Sequence, residues 1–128
     1  MLDTFCLALV IYVEARGETV DGQYMVADVV INRVNAEGSR WPDDVCGVVF
    51  DRKQFSGINN KLDLVEIVSD PSWETSVDVA YEALSGNTLG SNATHFHTTN
   101  SNPYWSDDLT LLGQYGNHIF YVEGMEHD

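Results

Sequence analysis

The residues best suited to acid–base chemistry lie near the N terminus, in the segment Glu14-Ala15-Arg16-Gly17-Glu18. Glu14 directly follows an apolar run, so its carboxyl group is expected where a helix leaves an apolar environment. Partial burial raises the pKa of a carboxyl group, which suits a general acid near neutral pH. Gly17 would let the chain turn away and leave Glu14 facing a cleft. The same pattern also fits an ion pair between Glu14 and Arg16, and Glu18 could simply complement the dipole of the next helix.

Histidines form a second candidate group. His95 and His97 alternate, so in a strand both side chains lie on one face. Together with His118 they could form a three-histidine zinc site with an open fourth position, as in a zinc hydrolase. A His-x-His pair on a strand is common, however, and the preferred prediction contains no metal.

A third group is aromatic and suits the binding of sugar rings, which stack on aromatic faces while amides and hydroxyls bind their polar edges. Phe120 also fits the core of a strand. Trp105 lies in a polar segment that contains proline, so an exposed position is expected. The group and its polar neighbours are Phe55, Tyr104, Trp105, Phe120 and Tyr121 with Gln54, Ser56, Asn102 and Asn117.

Helices are predicted in the first two thirds of the chain and strands in the last third. Apolar residues recur at helical spacing up to Val13, and Thr19, Pro42 and Asp70 suit helix starts. Four helices are predicted. The first ends near Gly17, the second follows Thr19 and ends at about Val34, the third runs from Pro42 to about Val49, and the fourth runs from Asp70 to Gly86. The predicted strands are 93–98, 109–112 and 117–122, with a turn at 114–116, after a loop or short hairpin at 51–60. The predicted fold class is α+β.

Composition predicts one domain that spans residues 1–128, because 44% of the 128 residues are apolar and only three are proline. The net charge of −14 argues against nucleic acid and against anionic membrane surfaces as partners. The apolar stretch 5–13 has no basic flank and is too short to span a bilayer, so it predicts a buried helix and no visible signal peptide. We expect a monomer.

Cys6 and Cys46 fit no metal-binding spacing. Each lies in an apolar run, so both two buried thiols and a disulfide are compatible with the sequence. An extracytoplasmic location would favour the disulfide.

Taken in order, seven segments of the chain resemble the SleB-type cell wall hydrolase family, which includes spore cortex-lytic enzymes and related bacterial and phage lysins. Each segment alone is unspecific, but the ordered set covers nearly the whole chain. The segments are LALVIYVEARGE (7–18), GQYMVADVVINRV (22–34), WPDDVCGVVF (41–50), QFS (54–56), ATHFH (93–97), NPYW (102–105) and GNHIFY (116–121).

The resemblance implies a lysozyme-like fold of the soluble lytic transglycosylase type. It also implies cleavage of peptidoglycan between N-acetylmuramic acid and N-acetylglucosamine, with Glu14 as the catalytic residue. Where many relatives carry an aromatic residue after Gln-Phe-Ser, this chain has Gly57. The residues carried over as substrate contacts are Gln54, Phe55, Ser56, Thr94, His95 and His118.

Together with Tyr104, Trp105, Asn117 and Glu18, these residues form the predicted substrate-binding set. In the favoured mechanism Glu14 alone serves as acid and base, and a 1,6-anhydro ring closes on the muramic acid without a cofactor. Glu18 would supply a second carboxylate in a muramidase. A zinc-dependent amidase and a glycan-binding module without activity are further alternatives. The expected place of action is the cell wall, in the periplasm or outside the cell, for an enzyme of bacterial or phage origin.

Overall fold

The computed structural model describes residues 1–51, 55, 57–58 and 61–123. These residues form α-helices followed by a three-stranded antiparallel sheet, which confirms the predicted α+β class. The elements are α1 (Leu2–Ala15), α2 (Val20–Asn35), α3 (Val45–Val49), α4 (Leu64–Ser69), α5 (Pro71–Leu84), β1 (His95–Thr98), a 3₁₀ helix (Tyr104–Asp108), β2 (Thr110–Tyr115) and β3 (His118–Val122).

Helix α1 is the central element of the fold. Every side chain from Cys6 to Tyr12 is buried, because the helix is covered by α2, α3 and α5. A helix that is apolar on all sides is stable only when it is enclosed in this way. The prediction of a buried helix is therefore confirmed, and no helix in the described part of the chain has the length and apolar character to cross a membrane.

The helix starts follow local capping chemistry. The side chains of Thr19 and Asp70 accept hydrogen bonds from the backbone N–H groups of Gly22 (3.2 Å) and Ser72 (2.9 Å), as expected for N-cap residues. Asp70 also accepts a 2.5 Å hydrogen bond from the Tyr12 hydroxyl, which links the start of α5 to the last turns of α1. These caps confirm the predicted starts of α2 and α5.

Two helices differ from the prediction. Helix α3 begins at Val45 rather than Pro42, because the carboxylate of Asp44 accepts the backbone N–H of Gly47 and so starts the helix three residues later. Helix α4 was not predicted, because its six residues are too few for apolar periodicity to distinguish a helix from a strand. It begins where the Asp63 side chain caps the N–H of Glu66 at 3.2 Å.

The sheet has the strand order β1-β3-β2. The pairs Phe96–Phe120 and Thr98–His118 lie in register, and directly opposed residues of an antiparallel pair share one face of the sheet. Phe120 is fully buried on that face. The turn between β2 and β3 consists of residues 116–117, two residues later than predicted, since β2 continues to Tyr115.

A disulfide joins Cys6 of α1 to Cys46 of α3. The sequence had left free thiols and a disulfide open, and the structure decides for the disulfide. It joins the N-terminal half of α1 to α3. The same helix α1 carries Glu14 near its other end.

Candidate active site

A groove of about 830 Å³ lies between the end of α1 and strand β1, on the sheet face that carries His95 and His97. It combines carboxylates, guanidinium groups, imidazoles and aromatic rings, which can contact both the polar edges and the flat faces of a ligand. The described residues that line the groove are Glu14, Arg33, Arg40, Phe55, His95, Phe96, His97, Thr98, Ser101, Tyr104, Trp105, Leu109 and Glu123.

Glu14 lies in the last turn of α1 and is partly buried in the groove wall. Burial raises the pKa of its carboxyl group above the usual value for glutamate, and a hydrogen bond from Gly57 opposes this increase. In that bond the Gly57 backbone N–H donates to Glu14 Oε2 at 2.9 Å. The result is a held carboxyl group that keeps its proton to a higher pH than a solvated glutamate does.

Gly57 has a structural reason to be glycine. A Cβ atom at this position would overlap the Val13 side chain and lie 2.6 Å from Glu14 Oε2. The backbone can therefore approach the carboxyl group closely only without a side chain. The departure from relatives that carry an aromatic residue here therefore has a physical reason, because this chain uses the Gly57 backbone to hold Glu14.

The three imidazoles that could have bound zinc are not brought together. His95 and His97 lie on one face of β1 and contact Trp105, with ring centroids 5.1 and 5.7 Å apart. His118 lies on the opposite face, where it is buried against Phe96 at 5.0 Å. The described residues also contain no cluster of three or more potential metal ligands. The geometry therefore contradicts the three-histidine zinc alternative.

His95 is positioned by Thr94. The Thr94 hydroxyl oxygen accepts the backbone N–H of Glu123 at 2.9 Å and lies 3.0 Å from His95 Nδ1. Burial and the nearby charge of Arg33 lower the pKa of His95 to about 4, so the ring is neutral at neutral pH. In the tautomer in which the Thr94 hydroxyl donates to Nδ1, the ring proton is on Nε2, where it can be donated to a ligand.

Helix α2 holds the segment that leads into β1. The Asp28 carboxylate accepts from the N–H and hydroxyl of Ser91, at 3.0 and 2.8 Å. The Asn32 side chain donates to the carbonyls of Ser91 and Ala93, and Arg33 Nε donates to the Thr94 carbonyl at 2.8 Å. Sequence reasoning did not assign these polar residues of α2, although their presence in an otherwise apolar helix was a usable signal.

Glu18 and Asn117 meet each other away from the groove. Glu18 Oε1 accepts the Asn117 backbone N–H at 2.9 Å, and Oε2 accepts its side-chain amide at 3.2 Å. Neither residue is among the described groove-lining set. Together they attach the turn of the β2–β3 hairpin to the start of α2, which is a structural contact.

The predicted aromatic contacts divide into two kinds. Tyr104 is 90% exposed at the groove, which suits stacking against a sugar ring, and Trp105 lies half-buried between the two histidines of β1. Phe55 is 4% exposed and packs against Phe96, so it forms the floor of the groove. Gln54 and Ser56 lie outside the described residues.

A second carboxylate in the groove was missed by sequence reasoning. Glu123, directly after β3, forms a two-point ion pair with Arg40, with N–O distances of 2.9 and 3.0 Å. The hydrogen bonds from Arg40 hold the pKa of the Glu123 carboxyl below its usual range. No local signal could have joined these residues, because they are 83 positions apart in the sequence.

A partly buried carboxylic acid facing aromatic and imidazole rings across an open groove defines a candidate carbohydrate-cleaving site. Residues 17–121 match the Cell Wall Hydrolase family, and since this match spans most of the chain, the protein belongs to that family. The resemblance noted in the sequence is thereby confirmed. The matched region begins after Glu14, so the role of this residue rests on its geometry.

The chain is similar to spore cortex-lytic enzymes. It is 32% identical over 119 residues to that of Halalkalibacterium halodurans and 30% identical over 119 residues to that of Oceanobacillus iheyensis. Both alignments cover 92% of this chain, but only 34% and 41% of the respective relative. The chain therefore spans less than half the length of these curated relatives.

Two solved structures share the fold. The catalytic domain of the germination-specific lytic transglycosylase SleB from Bacillus anthracis matches with a TM-score of 0.72 and 27% identity, over 93% of both chains. The catalytic domain of the Bacillus cereus SleB protein matches with the same TM-score and identity, over 93% of this chain and 88% of that one. These similarities confirm the predicted fold class.

Proposed function

We propose that this protein cleaves the glycan strands of peptidoglycan between N-acetylmuramic acid and N-acetylglucosamine, with Glu14 as general acid and base. The observation that carries the proposal is the environment of Glu14. It is a groove-lining carboxyl group whose pKa is raised by burial and whose orientation is set by the Gly57 N–H. The similarity to the B. anthracis lytic transglycosylase SleB supports the same activity.

In the proposed mechanism, protonated Glu14 donates its proton to the glycosidic oxygen while the bond to the muramic acid breaks through an oxocarbenium-like state. Glu14, now a carboxylate, takes the proton from the 6-hydroxyl of the same muramic acid. That oxygen bonds to C1 and closes a 1,6-anhydro ring, so the protons and the bonds balance without water.

The positions of the other carboxylates favour this one-carboxyl mechanism over a muramidase. Glu18 was the sequence-based candidate for a second catalytic carboxylate, but its oxygens are occupied by Asn117 outside the groove lining. Glu123 does line the groove, but both of its oxygens accept hydrogen bonds from Arg40. A carboxylate whose two oxygens already accept hydrogen bonds, and whose pKa is lowered by them, is a weak base and a poor nucleophile.

The remaining groove residues would bind the strand. The exposed ring of Tyr104 offers a stacking surface, and neutral His95 offers an N–H donor to a sugar hydroxyl or amide oxygen. We further propose that the enzyme acts outside the cytoplasmic membrane, because its substrate lies there and because a disulfide such as Cys6–Cys46 persists in oxidising compartments.

The test compares Glu14→Gln with the wild type on purified peptidoglycan. The loss expected on removing a general acid is about 100-fold to 10,000-fold in kcat. The matched control is Glu74→Gln, which makes the same substitution at an exposed position of α5 outside the groove lining. Full activity of Glu14→Gln would refute the assignment.

Mass spectrometry of the products tests the type of reaction. Muropeptides that end in 1,6-anhydro-muramic acid are expected. Muramic acid with a free reducing end would instead identify a muramidase. Release of stem peptides from intact glycan strands would identify an amidase and would overturn the proposal.

A further inference from the structure

We propose that Arg40, held in place by Glu123 and Trp41, binds a carboxylate carried by a muramic acid unit of the strand, either on its lactyl group or on its stem peptide. The inference rests on the proposed function, because it takes the occupant of the groove to be a peptidoglycan glycan strand. A groove that binds a carboxylate in this way would distinguish peptidoglycan from an aminosugar polymer that carries only uncharged groups.

The Arg40 side chain is fixed from two directions. Its Nε and one terminal nitrogen donate to the two carboxylate oxygens of Glu123 at 3.0 and 2.9 Å. The guanidinium also lies over the Trp41 ring, 5.0 Å from the centroid. A guanidinium that makes two hydrogen bonds and lies over an aromatic ring has already lost most of its rotamer freedom. Ligand binding to it therefore costs little additional conformational entropy.

The same geometry leaves Arg40 with hydrogen-bonding capacity. A guanidinium carries five N–H donors in a planar fork, and the pair with Glu123 uses only two of them. Among the described residues the second terminal nitrogen has no acceptor, and the side chain is 56% exposed where it lines the groove. An incoming carboxylate could therefore bind without displacing Glu123.

The charge distribution makes this arrangement unusual for the chain. The protein has only six basic residues and a net charge of −14, which should repel an anionic polymer. Two guanidinium groups, those of Arg33 and Arg40, nevertheless line the groove. Arg33 is buried and donates to the Thr94 carbonyl, so it supports the groove wall, whereas Arg40 is the one that solvent and ligands can reach.

Two sources could supply the carboxylate. In strands stripped of peptide, the lactyl ether of muramic acid ends in a free carboxylate. In intact strands that group is an amide, and the stem peptide carries carboxylates of its own. Both present the same chemistry to Arg40, and they can be separated by the choice of substrate.

The experiment measures the Kd of soluble strands by calorimetry in the Glu14→Gln background, where cleavage does not interfere. The three probes are peptide-bearing strands, strands stripped of peptide, and a chitooligosaccharide, which has no carboxylate. Adding Arg40→Gln should weaken binding of at least one carboxylate-bearing probe by about tenfold, the low end for hydrogen bonds to charged groups because Arg40 is exposed. Chitooligosaccharide binding should change by less than about twofold.

Lys61→Gln is the matched control, since it removes one positive charge at an exposed position that is not among the described groove residues. It should leave the Kd of all three probes unchanged. Glu123→Gln, which removes the competing negative charge, should tighten binding of the carboxylate-bearing strands. A loss on intact strands alone identifies the peptide carboxylates, and a loss on stripped strands identifies the lactyl group.

The proposal is overturned if Arg40→Gln leaves both carboxylate-bearing probes unaffected, or if it weakens the chitooligosaccharide equally. Either result is independent of catalysis. Failure of the wild-type protein to cleave peptidoglycan would sink the proposed function instead, so the two failures are distinguishable.

Discussion

Removing the Cys6–Cys46 disulfide should destabilise the protein strongly without changing the chemistry of the groove. The two cysteines are 40 positions apart in the sequence. In the chain-entropy relation, a cross-link that closes a loop of this length stabilises the fold by about 4 kcal/mol at 25 °C. For a chain of 128 residues, this corresponds to a decrease in Tm of roughly 15 °C.

The assay is urea unfolding of the oxidised protein, the reduced protein and the Cys6→Ala/Cys46→Ala variant. The reduced protein keeps both sulfur atoms in place, so its difference from the oxidised protein reports the cross-link alone. The further loss in the double variant reports packing, which matters at Cys6 because that side chain is 3% exposed. At 25 °C the folded fraction should retain normal kcat, because Cys6 lies about 12 Å along α1 from Glu14.

A decrease of less than about 1 kcal/mol on reduction would refute the loop-entropy argument. It would mean that the reduced chain already keeps α1 and α3 together in its unfolded ensemble. A large loss of kcat in the folded, reduced protein would contradict the separation between the cross-link and the catalytic end of α1.

Three further predictions concern the surroundings of the proposed catalytic residue. The pKa of Glu14 is raised in the folded state, so the stability contributed by its protonated carboxyl group is full at low pH and is lost as the pH rises through that raised pKa. Glu14→Gln should therefore be more stable than the wild type at pH 7 but not at pH 4. Urea unfolding at both pH values measures this difference. Gly57→Ala should lower kcat/KM on peptidoglycan by about 10-fold to 100-fold, because the new Cβ would force the Glu14 carboxyl group to move. The control is Gly17→Ala, whose Cβ would meet nothing within 4 Å and which should change kcat/KM by less than about twofold. Glu18→Gln should lower the free energy of unfolding by about 1 kcal/mol through its weakened contact with Asn117 and should reduce kcat/KM far less than Glu14→Gln does; an equal loss in both variants would restore the two-carboxylate mechanism.

The amino-acid sequence by itself determined the features that depend on neighbours within a few residues. The buried character of α1, the caps at Thr19 and Asp70, the alternation in β1 and the position of Glu14 at a helix end all follow from local spacing and capping. Where an element is too short for its periodicity to be diagnostic, as α4 is with six residues, the sequence did not predict it.

Only the tertiary structure decided which distant groups meet. Glu18 is 99 positions from Asn117, and Arg40 is 83 positions from Glu123, so no local pattern relates the partners. The register of β1 with β3 places His118 on the face opposite His95, which a list of histidines cannot reveal. Pairings of this kind are selected by packing around α1, because the shape of the whole core, rather than the spacing along the chain, sets which side chains come within hydrogen-bonding distance.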